Sequence, residues 1–185
     1  MSRQAWVRVL GATALLAVSA AVVASSGARD FRIRDDCDPA TFNAAFGDGT
    51  CVKTFDGDTT VEEFIEELTE DQEVGAWRFN PDEVTLERGE RTVFESRGGE
   101  FHTFTRVAQF GGGIIPDLNV LSGTPDVRPE CGVVGVLAPP SATNVFVQAG
   151  DRLSGPRAGT TALPKGTSRW QCCIHPWMRS TVTVR

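Results

Sequence analysis

A chain of 185 residues is long enough for one real hydrophobic core but not comfortably for two, since domains run to ~100–200 residues each. Its 41% hydrophobic and 23% charged content is ordinary for a globular protein, and 19 glycines with 10 prolines point to many turns rather than long helices. The formal charge of -6, with no cluster of Lys or Arg, leaves no electrostatic footprint for nucleic acid or anionic lipid, so neither is an expected partner.

At the start of the chain, Arg3 and Arg8 precede a charge-free run from Val9 to Ala24 rich in Ala, Leu and Val. Small residues at 22–24 and 26–28 offer cleavage positions, so residues 1–28 read as a signal peptide or, if retained, an anchor. The protein is accordingly expected to be exported, to the periplasm or the extracellular space, and membrane-anchored only through a retained signal. Loss of Arg3 and Arg8 would leave it more acidic still, which favours partners of positive charge. Five cysteines in an exported chain are an odd number under oxidising conditions. Two disulfides and one cysteine with another task is the simplest partition.

Residues 29–73 read as an N-terminal extension, with Cys37 and Cys51 around a Gly/Asp-rich loop followed by a short helix. Thr60 and Glu63 have capping-box spacing. Val61, Phe64, Ile65 and Leu68 share one helical face, and Glu62, Glu63, Glu66 and Glu67 fall on the other, a solvated acidic surface. Residues 74–185 change to short strand-like runs between turn residues, the pattern of an all-β sandwich. Strands are expected near Ala76–Phe79, Val84–Leu86, Thr92–Ser96, His102–Val107, Asn144–Val147, Ser168–Cys173 and Thr181–Val184. Arg97-Gly98-Gly99 reads as a turn. The stretch from Phe110 to Pro140, with Gly111-Gly112-Gly113 and five prolines, shows no period and reads as an extended loop between sheets.

The two histidines of the chain are His102 and His175, and the second lies in Cys172-Cys173-Ile174-His175-Pro176-Trp177-Met178. A soft thiolate, two imidazoles and a weak thioether form the donor set that suits one copper ion in a trigonal site with a long axial Met. Thiolate and thioether favour the cuprous ion, imidazole serves both oxidation states, and a rigid frame keeps reorganisation small. Successive side chains on a strand face opposite ways, so adjacent cysteines do not easily share a metal. Cys172 shares parity with Trp170 and is separated from His175 by two residues, which makes it the expected ligand. Cys173 then faces the other way and can form a disulfide, with Cys131 as the natural mate if Cys37 pairs with Cys51. The expected metal ligands are His102, Cys172, His175 and Met178.

Glu100-Phe101-His102-Thr103-Phe104-Thr105, Phe110-Gly111-Gly112-Gly113 and the Cys172–Met178 segment together resemble the plastocyanin-like type 1 (blue) copper proteins of the cupredoxin family. The likeness covers about Ala76 to Arg185. It implies a Greek-key β-sandwich with a copper site at one end, and one-electron transfer between larger redox partners. By the same resemblance His102 matches the upstream histidine, Cys172 the thiolate, His175 the loop histidine and Met178 the axial ligand. Two features depart from the pattern: only Pro176 and Trp177 separate His175 from Met178, and Cys173 is an extra thiol.

Pro176 and Trp177 would either form a hydrophobic collar through which His175 approaches solvent, with redox partner proteins docking there, or merely pack the loop. Copper oxidases need further histidine-rich centres, which two histidines cannot build, so a non-enzymatic, monomeric carrier is expected. The competing reading is a copper buffer or delivery protein using the same four residues. A structural zinc site also suits thiolate and imidazole but not the methionine.

Overall fold

The computed structural model describes residues 27–52 and 58–185, so the expected signal peptide or anchor lies almost wholly outside the described residues. No helix among the described residues is long and apolar enough to cross a membrane. In chain order the elements are β1 (Ala28–Arg34), α1 (Pro39–Phe46), α2 (Val61–Asp71), β2 (Arg78–Asn80), β3 (Glu83–Leu86), β4 (Arg91–Ser96) and β5 (His102–Val107). They continue with α3 (Pro116–Leu121), β6 (Gly132–Val133), β7 (Val136–Leu137), β8 (Asn144–Val147), β9 (Arg152–Ser154), β10 (Gly166–Gln171) and β11 (Arg179–Val184).

Two sheets carry the fold, one ordered β2-β1-β4-β9 and the other β3-β11-β10-β5-β8, with β6 and β7 a separate hairpin. Alternation explains the inward faces. Thr92, Phe94 and Ser96 of β4 are buried, as are Ser180, Val182 and Val184 of β11, while the residues between them are partly exposed or exposed. The two faces meet around Phe104, which stacks on Trp170 at 4.7 Å and touches Phe94 at 4.5 Å, Phe79 at 5.0 Å and Phe31 at 5.3 Å. Aromatic side chains of this size dominate the burial energy of a core. The fold is the expected all-β Greek-key sandwich.

The expected division at residue 74 does not follow the packing. β1 lies inside the four-stranded sheet, parallel to β4 over Ala28–Ile33 and antiparallel to β2. The segment read as an extension therefore supplies a sandwich strand. Its inward residues are Phe31 and Ile33, and the Arg and Asp side chains around them face out, so the charge density of the segment hides a half-buried strand. β9 also went unread, at three residues too short to show a period.

The helix of residues 61–68 is present and runs on to Asp71, with both arms of the capping box formed between Thr60 and Glu63. Its inward residues are Phe64 and Leu68. α1 was not expected, although Asp38 caps it by accepting from the N–H groups of Ala40 and Thr41, and Pro39 occupies the first turn. The stretch 110–140 holds α3 and the β6–β7 hairpin rather than plain loop. Gly113 is pinned there because a Cβ would come within 2.1 Å of the Cys173 carbonyl oxygen, and Asn119 clamps its backbone from both sides.

Candidate metal centre

His102 opens β5, and β10, which pairs antiparallel with β5, ends at Gln171, one residue before Cys172. The chain then turns: the Met178 N–H donates to the His175 carbonyl and the Cys172 N–H to the Met178 carbonyl, both at 3.0 Å. This closed loop returns His175 over Cys172 and leads into β11. The parity argument for the adjacent cysteines holds. Trp170 and Cys172 belong to the main core, whereas Cys173 joins Cys131 and Ile114 in a second cluster under the 110–140 segment. Disulfides join Cys37 to Cys51 and Cys131 to Cys173, and Cys172 is the free cysteine among the described residues.

The donor atoms of His102, Cys172 and His175 all lie within 4.8 Å of one another, and all three residues are buried. Nδ1 of His102 is 3.8 Å and Nδ1 of His175 is 3.9 Å from Cys172 Sγ. Met178 is buried at the far end of the same loop, in the main core.

Each ring is held from behind by a carboxylate. His102 Nε2 lies 2.6 Å from Asp35 Oδ2, with both side chains fully buried, and His175 Nε2 lies 3.4 Å from Glu100 Oε2. Engaging Nε2 leaves Nδ1 as the nitrogen facing the thiol, which is how a second group fixes the tautomer and aim of a ligating histidine. Asp35 is itself fixed by the Gly99 N–H at 2.7 Å and the Glu100 N–H at 3.2 Å. Trp77 Nε1 donates to Glu100 Oε2 at 2.5 Å.

The electrostatics follow from this packing. Burial alone would raise the Asp35 carboxyl, but the bond to His102, its charge and the two backbone N–H groups outweigh burial and lower it. Burial also works against a charged His102, yet Asp35 and Cys172 raise it to about 10. At Cys172 burial opposes ionisation, and the contacts with both histidines overcome it, holding the thiol well below its ordinary value. Glu100 differs: burial raises it, and the charges of His175 and His102 offset that only in part. A buried thiolate flanked by two aimed imidazole nitrogens is a soft, mixed S/N donor set that fits a copper or zinc ion.

Asp35, Glu100 and Trp77 escaped the sequence reading. Glu100 had a signal, since it sits two residues before His102 and the spacing puts both side chains on one side of an extended chain. Asp35 had none, because it stands among other charged residues and reaches His102 only through the placement of β1. The expected solvent-facing collar is absent: Pro176 and Trp177 are buried, and Trp177 packs on Phe64 at 5.8 Å and His175 at 5.5 Å. The alternative, that they pack the loop, is what the structure contains, because α2 covers this end of the sandwich.

No family model matches the chain, and no curated protein matches it. Among solved structures it is similar to a purple cupredoxin from Nitrosopumilus maritimus, at 13% identity over 85% of this chain and 99% of that one, with a TM-score of 0.41. It is also similar to plastocyanin from Dryopteris crassirhizoma, at 20% identity over 61% and 93% of the two chains, TM-score 0.30. Auracyanin A, described as a blue copper protein, from Chloroflexus aurantiacus is similar at 19% identity over 58% and 89%, TM-score 0.33. The chain itself combines a two-sheet strand arrangement with a buried His–Cys–His cluster.

Proposed function

We propose that the chain is a mononuclear blue copper protein that carries single electrons between redox partners, with His102, Cys172 and His175 as ligands and Met178 as the weak axial donor. The observation that supports this most directly is the convergence of two Nδ1 atoms on one buried sulfur, at 3.8 and 3.9 Å, with each opposite ring nitrogen held by a carboxylate. Copper bound there would supply the Cu(I)/Cu(II) couple. The protein supplies a thiolate held in a dry core and two rings whose orientation is fixed before metal arrives.

Carrier is favoured over buffer or delivery protein because the ligands are seated in strands and a closed loop beneath packed side chains, not on a mobile surface segment. Partners are proposed to dock at this end of the sandwich, near His175 and Trp177, and the protein to act after export.

The test is the visible spectrum after Cu(II) addition to the wild type, Cys172→Ser and Cys173→Ser. The reading expects an intense thiolate-to-copper band that vanishes only in Cys172→Ser. Copper bound without such a band in the wild type would replace the carrier by the buffer.

A further inference from the structure

Beside the candidate metal centre lies a pocket of about 450 Å³, within the ~300–1,000 Å³ typical of small-molecule sites. It opens between α1, α2 and α3. Phe42, Phe64 and Phe101 present phenyl rings to it, Leu118 and Leu121 of α3 form the facing wall, and its outer edge includes Phe46, which is 58% exposed. Ordinary packing gives no reason to leave such a space open among apolar side chains.

Thr50, Asp117, His175 and Glu100 are the polar members of the wall, and Glu100 points to what would fill it. Glu100 lines the pocket and is only 7% exposed. Its Oε2 takes both contacts the carboxyl makes, with Trp77 Nε1 at 2.5 Å and His175 Nε2 at 3.4 Å. Its Oε1 has no hydrogen-bond partner among the described residues. A carboxyl oxygen that opens onto an apolar space of ligand size is completed by a ligand that brings one hydrogen-bonding group on an apolar body. Aromatic walls favour a ring, and a hydroxyl can both donate to and accept from a carboxyl. We propose that this pocket is a binding site for a phenol-class ligand, its ring among Phe42, Phe64 and Phe101 and its hydroxyl on Glu100. The proposal goes beyond copper binding and does not depend on it, because every group it uses is present without metal.

The experiment compares 4-methylphenol with toluene as probes of the metal-free full chain, by ligand-observed NMR and titration calorimetry. The phenol is expected to bind at least about tenfold more tightly than toluene, the hydroxyl contact being what toluene lacks. Leu118→Trp, and independently Leu121→Trp, fill the pocket and are expected to abolish binding while circular dichroism and the thermal midpoint show a folded protein. Equal binding of the two probes overturns the assignment of the hydroxyl to Glu100. Binding of neither, or binding that survives both folded tryptophan variants, overturns the site. The copper-free format separates this result from the spectroscopic test of the metal centre.

Discussion

Asp35 and His102 form a fully buried pair, Oδ2 to Nε2 at 2.6 Å, that ties a residue of the chain's first strand region to the opening residue of β5. The carboxylate sets the ring's tautomer and places a negative charge one imidazole away from the donor cluster. Asp35→Asn keeps an acceptor for Nε2–H and removes the charge. A negative charge favours the more positive, oxidised ion, so the reduction potential of the copper-loaded variant is expected to rise, and copper affinity to fall by about 10–100-fold. Potentiometric titration and competition with a chelator read the two effects. An unchanged potential would reduce Asp35 to a purely structural role.

Gly98 matters for the same pair. A Cβ there would meet Asp35 Oδ2 at 1.7 Å, so Gly98→Ala must displace the carboxylate from His102. The variant is expected to lose copper affinity in the same direction as Asp35→Asn, and to be less stable than it, because the misplaced carboxylate stays buried. Paired chelator competition and denaturant unfolding test this, and a Gly98→Ala protein with wild-type affinity would contradict it.

Cys131 and Cys173 close a loop with a sequence separation of 42 residues. Replacing both with serine is expected to cost ~2–5 kcal/mol of stability, since the unfolded chain regains the freedom the bridge removes. The charge-transfer band is expected to persist, because Cys172 faces the other cluster. Denaturant unfolding and the spectrum of one sample separate the two statements.

The two tryptophans at the centre should respond unequally to phenylalanine. Trp77 Nε1 donates to Glu100, so Trp77→Phe takes the shorter of the two contacts from a buried carboxyl oxygen and is expected to cost ~1–3 kcal/mol beyond the lost packing. Trp177 Nε1 is buried without a hydrogen-bond partner among the described residues, so Trp177→Phe sacrifices no bond and should cost less. Unfolding free energies of the two variants decide it, and equal losses would refute the distinction.

Glu63 accepts from the Thr60 backbone N–H and hydroxyl, each at 2.9 Å, and this lowers its pKa from the ordinary 4.5. A depressed carboxylate contributes stability that is fully present above its unfolded value and lost as pH falls through its folded value. Glu63→Gln is therefore expected to flatten the acid limb of the stability curve. Unfolding midpoints taken between about pH 6 and pH 3 test this, and superimposable curves would contradict it.

Much of this architecture can be read from the residues. Alternation places β4 and β11, turn residues bound β5, and the Thr60/Glu63 box places α2, because each is a local pattern. The donor cluster is legible for another reason: the chain has two histidines and one odd cysteine, so few sets are available. What escapes is the non-local part. β1 is obscured by its charged outer face, and Gly98-Gly99 looks like a turn when its glycines are demanded by Asp35 and by the Cys37–Cys51 bridge pressing on the backbone. The burial of His175 escapes too, because it depends on how α2 packs on the sandwich, and the helix's amphipathic pattern names its inner face without saying what lies beneath.

Asp35 and His102 are 67 residues apart, and His102 and Cys172 are 70. The short stretch Cys172–Met178 holds three of the proposed donors, and His102 with its carboxylate partner must come from far away in the chain. During synthesis Cys172, His175 and Met178 are therefore the last donors to arrive, and His102 finds its aim only once β1 has seated alongside β4 and brought Asp35 to it. Metal capture then becomes a report of finished assembly: a half-folded chain offers scattered weak donors, and only the closed sandwich offers all of them at once. The strand's alternation also protects the unpaired cysteine, because its neighbour Cys173 is held in a bridge with Cys131 on the other side of the strand.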